Sequence, residues 1–316
     1  MRALVLEGFG RLEMREVDRS PVEGAGVRVA SCGICGSDVG VYLGKPIMRQ
    51  RWQPPLILGH EVGGVAEQGR LAGRAVAVNP ILSCGGCGLC RLGRENLCRN
   101  RRHVGFHLPG GFAEYLRVPE EQLVPLPDGV EPWKGALAEP LAVAIHAVGR
   151  AGDVCGRRVL VLGGGGIGAL ASWVLRRSGA TVTILEVSAL RRRWLEGLSV
   201  AEVAGEVAGE FEVVLDTVGT SRSLRTSVER CAPAGKVVVV GLGEAEVPVW
   251  LSRVVVEEVA VEGSYTYTRR VFNAAVNLLA ELPDWPWERR PAEEANRALQ
   301  ELAAGGVTAG RVLLTW

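Results

Sequence analysis

The sequence predicts an α/β protein of two domains, the first mostly β and the second a doubly wound parallel sheet. Short alternating valine-rich runs fill roughly the first 135 residues, and beyond them strand-like and helix-like patterns alternate across glycine turns. Length agrees: at 316 residues the chain exceeds the ~250–300 at which a single hydrophobic core stops growing.

Composition narrows the partners. Hydrophobic residues make up 47% of the chain, enough for packed cores, and the net charge is +1 with 22% charged residues. That balance offers no field for nucleic acid or an anionic membrane. The opening Met1-Arg2-Ala3-Leu4-Val5-Leu6-Glu7 reads as a strand without the apolar core of a signal peptide. No run approaches the ~20 apolar residues of a membrane helix. The expectation is a soluble, cytoplasmic protein acting on a small molecule. In such a chain the eight cysteines favour metal over disulfides.

Within the first domain, 1–140, residues 26–30 and 73–78 read as strands of a barrel-like lobe. From Pro140, the apolar Leu141, Ala142, Ala144, Ile145, Ala147 and Val148 predict a buried helix ending near Gly149 and Gly152. The second domain, 141–271, reads as strand 158–162, helix 167–177, strand 181–185, helix 188–195, then strands 213–215, 236–240 and 259–262. Helices at 269–282 and 292–303 and a last strand at 311–315 follow. Segment 272–316 is expected to return to the first domain, leaving the second as an insertion.

Three constellations carry chemistry. Gly163-Gly164-Gly165-Gly166-Ile167-Gly168 follows the 158–162 strand and opens a helix, the context that G-x-G-x-x-G requires. Gly163 allows the tight turn, Gly165 lets a pyrophosphate approach, and Gly168 lets helix and strand pack. Glu186 ends the next strand, placed to accept from both ribose hydroxyls of NAD and to repel a 2'-phosphate. Arg191 to Arg193 either offset that repulsion or form solvated surface. Thr217, Gly219 and Gly241 fall at strand ends facing the cofactor crevice.

Cys84, Cys87, Cys90 and Cys98 follow C-x2-C-x2-C-x7-C, and four thiolates from one loop close a tetrahedral zinc sphere. The bacterial iron–sulfur run instead ends C-x3-C-Pro, whereas here seven residues precede Cys98 and Arg99 follows. Upstream, Cys35, His60 and Glu61 offer a thiolate, an imidazole and a carboxylate, a set that leaves a fourth zinc position for water. Spacing alone leaves these between structural and ligating roles, and Cys32 competes with Cys35.

Cys35-Gly36-Ser37-Asp38, Gly59-His60-Glu61, the four-cysteine loop, Glu139-Pro140-Leu141 and the glycine loop occur in the order found in zinc-dependent medium-chain alcohol and polyol dehydrogenases. The chain resembles that family, in its sorbitol and butanediol dehydrogenase-like branch, over essentially its whole length. The resemblance implies a GroES-like catalytic lobe, a Rossmann domain with the active site in the cleft between them, two zinc ions and a homodimer or homotetramer. It implies Cys35 and His60 as catalytic zinc ligands, Glu61 as ligand or close neighbour, and Glu139 as the carboxylate that the polyol branch places at the metal. Ser37 looks like the hydroxyl that takes the alcohol proton, and Asp38 the acceptor for the His60 ring. Arg311 resembles a basic residue that meets the pyrophosphate, and Tyr265 and Tyr267 sit where such chains make subunit contacts.

Two departures stand out. Gly40 replaces the histidine that ends the proton relay in many relatives, so the relay is shortened, or another group such as Tyr42 or a water substitutes. Segments 67–74 and 197–212 look trimmed. Among other residues, His103 and His107 are expected to be packing or surface, and Trp52 either lines the substrate cleft or packs ordinarily. The expected activity is NAD-dependent oxidation of a secondary alcohol, a polyol or vicinal diol on the strength of Glu139. The rivals are a hydroxy amino acid or aldose as substrate, a zinc-free enone or quinone reductase, which should lack these ligands, and a non-catalytic nucleotide sensor.

Overall fold

The computed structural model describes residues 1–19 and 22–316, which fall into two compact units. The first comprises Met1–Glu139, Thr268–Val307 and Arg311–Trp316; the second comprises Pro140–Tyr267 and Thr308–Gly310. Among the described residues no helix is long and apolar enough to cross a membrane.

The first unit is mostly β. Its seven-stranded sheet runs Leu123–Pro125, Ala75–Val78, Glu61–Ala66, Ala25–Gly33, Val312–Thr315, Glu288–Pro291, with Tyr115–Val118 also on Ala25–Gly33. The period of two is visible along Ala25–Gly33, where Ala25, Val27 and Val29 are buried and Arg28 is exposed. Val62, Phe112, Leu116, Val312 and Leu314 join the same core, and the helix Ala295–Ala303 adds Ala295, Ala298 and Leu299 at helical spacing. One register matters for the site: Gly33 stands opposite Glu61. A Cβ at Gly33 would lie 2.0 Å from Glu61 Oε2, so only glycine leaves room for that carboxylate.

The second unit is a six-stranded parallel sheet, ordered Glu202–Ala204, Thr181–Leu185, Arg158–Leu162, Phe211–Asp216, Cys231–Val239, Ala260–Gly263. In chain order that is 3-2-1-4-5-6, the dinucleotide-binding topology, and its direction reverses between Arg158–Leu162 and Phe211–Asp216. Both of these strands run out at the glycine loop and at Thr217.

The predicted elements are present, and several differ at their ends, the helix expected over 188–195 running Ala189–Leu198 and the strand expected over 236–240 running Cys231–Val239. The helix expected over 269–282 is Arg269–Leu278 and stops short of Pro283. The helix expected over 292–303 begins as a 3-10 turn, Ala292–Glu294. The strand Glu202–Ala204 lies in the segment read as a trimmed connection, being too short and too polar to show a period. The helix Ala138–Ala151 opens two residues before Pro140, which its first turn tolerates.

The glycine loop supplies a stability test. A Cβ at Gly168 would lie 1.9 Å from the Gly163 carbonyl oxygen, whereas one at Gly165 meets nothing within 4 Å. We expect Gly168→Ala to destabilise the protein by about 1–3 kcal/mol, while Gly165→Ala stays within about 0.5 kcal/mol. Denaturant unfolding of both variants against wild type makes the comparison.

Candidate metal centres and nucleotide loop

The four cysteines of segment 84–98 meet at one point. Cys84 Sγ is 3.5 Å from Cys98 Sγ and 3.9 Å from Cys90 Sγ, and Cys87 Sγ is 3.5 Å from Cys90 Sγ and 3.9 Å from Cys98 Sγ. A tetrahedron with Zn–S bonds of ~2.3 Å has edges of about 3.8 Å, so the donor set fits zinc. The backbone N–H groups of Gly86 and Cys87 hold the Cys84 thiol down to about 6, favouring thiolate. The loop is anchored within its own unit: Glu95 Oε1 accepts from the Arg269 N–H at 2.7 Å.

The second set is Cys35, His60 and Glu61, whose ligand atoms lie within 4.8 Å of one another. Cys35 caps the helix Gly36–Tyr42, and Asp38 in its first turn is fully buried. Asp38 Oδ2 accepts from the Cys35 N–H at 2.9 Å and Oδ1 from the Gly59 N–H at 3.3 Å. One carboxylate thus ties the two ligand loops together. Its Oδ1 also faces His60 Nδ1 at 3.4 Å, an ion contact rather than a hydrogen bond.

Charge at this point is arranged for a cation. Burial opposes ionisation of Cys35, but His60 and Arg311 outweigh it and bring the thiol down to about 6. Burial also disfavours charge on His60, yet Asp38 and Cys35 raise its pKa well above the ordinary value. Glu61 is fully buried; Oε1 accepts from Arg311 Nη1 at 2.6 Å, and Oε2 has no hydrogen-bond partner among the described residues. An orphaned carboxylate oxygen beside a thiolate and an imidazole is what a divalent cation satisfies.

Several expected residues are placed differently. Glu139, expected as a ligand, is not in the group within 4.8 Å; it lies buried in the first turn of Ala138–Ala151, and the pKa of Glu61 is raised well above the ordinary value by burial above all, with the charges of Cys35 and Glu139 adding to it and Arg311 opposing. Arg311, expected at a pyrophosphate, is 5% exposed and directs Nη1 to Glu61 and to the Ile34 carbonyl at 3.3 Å. Its place in the chain, just before a strand of the first unit, carries it to the ligand set. Tyr42 does not stand in for the missing relay histidine, because its hydroxyl donates to Asn296 Oδ1 at 3.3 Å and accepts from Gln300 Nε2 at 3.4 Å. Met48 fills the space at Gly40, its Cγ 3.4 Å from where a Cβ would lie. Ser37 Oγ lies 3.5 Å from His60 Nε2.

His103 sits closer to the site than a packing role suggests. Its ring centroid is 5.3 Å from that of His60 and 5.3 Å from that of Phe106. Trp52 stacks on Phe106 at 4.7 Å, and His107 meets the edge of Trp52 at 6.1 Å. This strip runs from the buried His60 to the exposed His107. Nδ1 of His103 lies 2.9 Å from the Val104 carbonyl, which can only accept, so Nδ1 carries the proton. Burial and the nearby His60 push its pKa down to about 3, leaving a neutral ring. The C-x4-H-x3-H run after Cys98 was the available signal.

In the second unit Gly163 takes φ +90, and Gly165 caps the helix Gly166–Arg177. A Cβ at Gly165 would enter open space, the side a phosphate approaches, so the loop fits a dinucleotide. Ile167 lies half-buried in the first turn. Thr217 was expected to face the cofactor, but its hydroxyl donates to the Leu162 and Gly163 carbonyls at 2.8 and 3.1 Å and so braces the loop. Gly219 and Gly241 permit the two strand-end loops to touch: a Cβ at Gly219 would lie 2.0 Å from the Gly241 oxygen. Asp216, which sequence reading passed over, fixes this turn by accepting the Val218 and Gly219 N–H groups at 2.9 Å each. Glu186 is buried and bound on both oxygens, with Arg191 as its ion-pair partner.

Comparison with known proteins identifies the family. Residues 23–128 match the alcohol dehydrogenase GroES-like domain and residues 166–281 the zinc-binding dehydrogenase domain. The chain is 33% identical over 274 residues to L-idonate 5-dehydrogenase (NAD(P)(+)) of Escherichia coli K12, covering 80% of each chain. It is 29% identical over 316 residues to L-threonine 3-dehydrogenase of Legionella pneumophila Corby, covering 92% of each. A crystal structure of a zinc-binding dehydrogenase of Sinorhizobium meliloti 1021 bound to NADP superposes with a TM-score of 0.86 at 32% identity, covering 100% of this chain and 99% of that one. The chain belongs to the zinc-dependent medium-chain alcohol and polyol dehydrogenase family, and is an NAD(P)-dependent zinc oxidoreductase.

Asp38→Asn tests the bridging carboxylate. It keeps the shape while removing the charge opposite His60, and zinc affinity should fall by about 10–100-fold. Competition against a colorimetric chelator reads this; unchanged affinity would reduce Asp38 to a turn residue.

Proposed function

We propose that the enzyme oxidises a secondary alcohol on a polyol, vicinal diol or sugar acid, reversibly, with NAD as acceptor and two zinc ions per chain. The observation that carries this is the Cys35, His60, Glu61 set within 4.8 Å, with an orphaned Glu61 oxygen and the Ser37 hydroxyl 3.5 Å from His60. Zinc, when bound there, supplies Lewis acidity that lowers the pKa of a substrate hydroxyl, and the nicotinamide supplies a hydride acceptor.

This chain's residues do the rest. Cys35, His60 and Glu61 hold the metal, and Glu139 stands by as a further carboxylate. Asp38 orients His60, and Arg311 offsets the negative charge of Glu61 so that the set is not over-anionic. Ser37 Oγ takes the alcohol proton; with Gly40 in place of a histidine and Tyr42 engaged elsewhere, a water carries it onward. Gly163, Gly165, Ile167 and Gly168 receive the pyrophosphate and Glu186 the ribose. Trp52 and Phe106 present an apolar wall to the substrate carbon chain, and His103 a neutral acceptor. Arg101 and Arg102, whose charges lower the pKa of His107 at the outer end of the strip, suit the carboxylate of a sugar acid. We place the enzyme in the cytoplasm as a homodimer or homotetramer, as its family implies.

A second reading, oxidation of a hydroxy amino acid, is supported by the likeness to L-threonine 3-dehydrogenase over 92% of the chain. Comparing kcat/KM for aldonates, polyols and 2,3-butanediol with that for L-threonine separates the two.

Metal content per chain, by elemental mass spectrometry on wild type and Cys35→Ala, is the primary test. Two zinc ions falling to one, with activity reduced by at least about 10³-fold, is the expected outcome. One zinc in both proteins would mean that only the cysteine loop binds metal and would sink this mechanism.

A further inference from the structure

The helix Ser221–Arg230 and the segment that leads into the helix Leu251–Val256 line a cavity of about 650 Å³ within the second unit. Its lining is Ser221, Arg222, Arg225, Pro248, Val249 and Trp250. None of these belongs to the two ligand sets or to the glycine loop. The volume falls within the ~300–1,000 Å³ of small-molecule sites.

The lining divides by chemistry. Pro248, Val249 and Trp250 are apolar, and Val249 and Trp250 are each 44% exposed, so indole surface is left uncovered. Arg222 and Arg225 stand three residues apart on the helix and share a face. Both are exposed, and neither has an ion pair or a side-chain hydrogen bond among the described residues. Arg253 shows the contrast: its Nη2 is held by Glu210 at 3.1 Å, Glu257 at 3.0 Å and the Cys231 carbonyl at 3.1 Å, and it is a fixed part of the fold. The guanidinium carbon of Arg225 lies 5.9 Å from the Trp250 ring centroid, at the outer limit of cation–π contact. A free cation therefore stands beside a half-exposed indole. The carboxylate of Glu244 accepts from Ser221 Oγ at 2.5 Å, and the two guanidinium groups outweigh its charge.

An occupant that uses all of these features has a flat ring for Trp250 and an acidic group for the arginines. A carboxylate has two oxygens and suits one guanidinium fork, whereas a phosphate has three and serves two. We propose that this cavity is a second small-molecule site, taking a planar aromatic ring that carries a phosphate: the ring lies on Trp250 and the phosphate is held by Arg222 and Arg225. A simple aryl phosphate and the base and phosphate of a pyrimidine nucleotide share that chemistry.

The test is calorimetric titration of zinc-loaded enzyme kept saturated with NADH, so that the dinucleotide site is closed to the probes. Phenyl phosphate and uridine 5'-monophosphate are the probes, with uridine and inorganic phosphate as controls. Wild type should bind one probe molecule per chain, and each control at least about tenfold more weakly. Arg222→Gln and Arg225→Gln should each weaken probe binding by about tenfold, as loss of a charge-assisted contact implies. Trp250→Leu should weaken it by roughly fivefold or more through lost stacking. NADH affinity measured without probe should stay unchanged in all three variants. Binding of both probes supports an aryl phosphate site in general, and binding of the nucleotide alone supports a site that also reads the base or ribose. No probe binding by wild type, inorganic phosphate binding as tightly as the probes, or probe affinity unmoved by the substitutions would each overturn the proposal and leave the two arginines as solvated surface.

Discussion

A buried ion pair between Glu61 and Arg311 holds the candidate catalytic centre together. Their side chains are 0% and 6% exposed and their nearest atoms 2.6 Å apart. Isolated charges in such a place would be costly. Here they answer each other: Arg311 lowers the cost of Glu61 and also favours the Cys35 thiolate. The strand that follows Arg311, Val312–Thr315, pairs with Ala25–Gly33, and Glu61 stands opposite Gly33 on the other side of that strand. Sheet register, a missing Cβ at Gly33 and one salt bridge therefore determine together where the ligand carboxylate points.

The two candidate metal centres use different physics. The cysteine loop is a single short segment whose thiols already approach tetrahedral spacing, so its local backbone does most of the organising. The second centre collects Cys35 from the start of a helix and His60-Glu61 from the start of a strand, joined by Asp38. Mixed ligands from separated segments need such bridging groups, and those groups are buried polar residues. Their removal should hurt the site more than the fold.

Much of this was legible in the sequence because it is local. Strands Arg158–Leu162 and Thr181–Leu185 fell on their predicted limits since β-branched runs bounded by glycine have one reading. The cysteine spacing and the glycine loop carry their chemistry within a few residues. What escaped is long-range or depends on side-chain direction. Nothing near Arg311 indicates that it will meet a residue 250 positions earlier, and nothing near Glu186 tells that its lone pairs will be taken. Gly40 was noticed as a departure, but only packing shows Met48 in that space. Thr217 was placed correctly at a strand end, while its hydroxyl turned back to the Leu162 and Gly163 carbonyls and braces the loop.

The separation of Glu61 from its arginine also has a temporal side. A ribosome adding roughly 5–20 residues per second makes Glu61 some 250 residues before Arg311, an interval of about ten to fifty seconds. Throughout it the nascent lobe lacks both the neutralising cation and the strand that seats it. The cysteine loop, encoded within segment 84–98, has its full donor set far earlier. Biogenesis of this protein is therefore ordered by chain connectivity: the four-cysteine set has its donors complete during synthesis, and the Cys35, His60 and Glu61 set gains its neutralising arginine only after the C-terminal segment has emerged and docked.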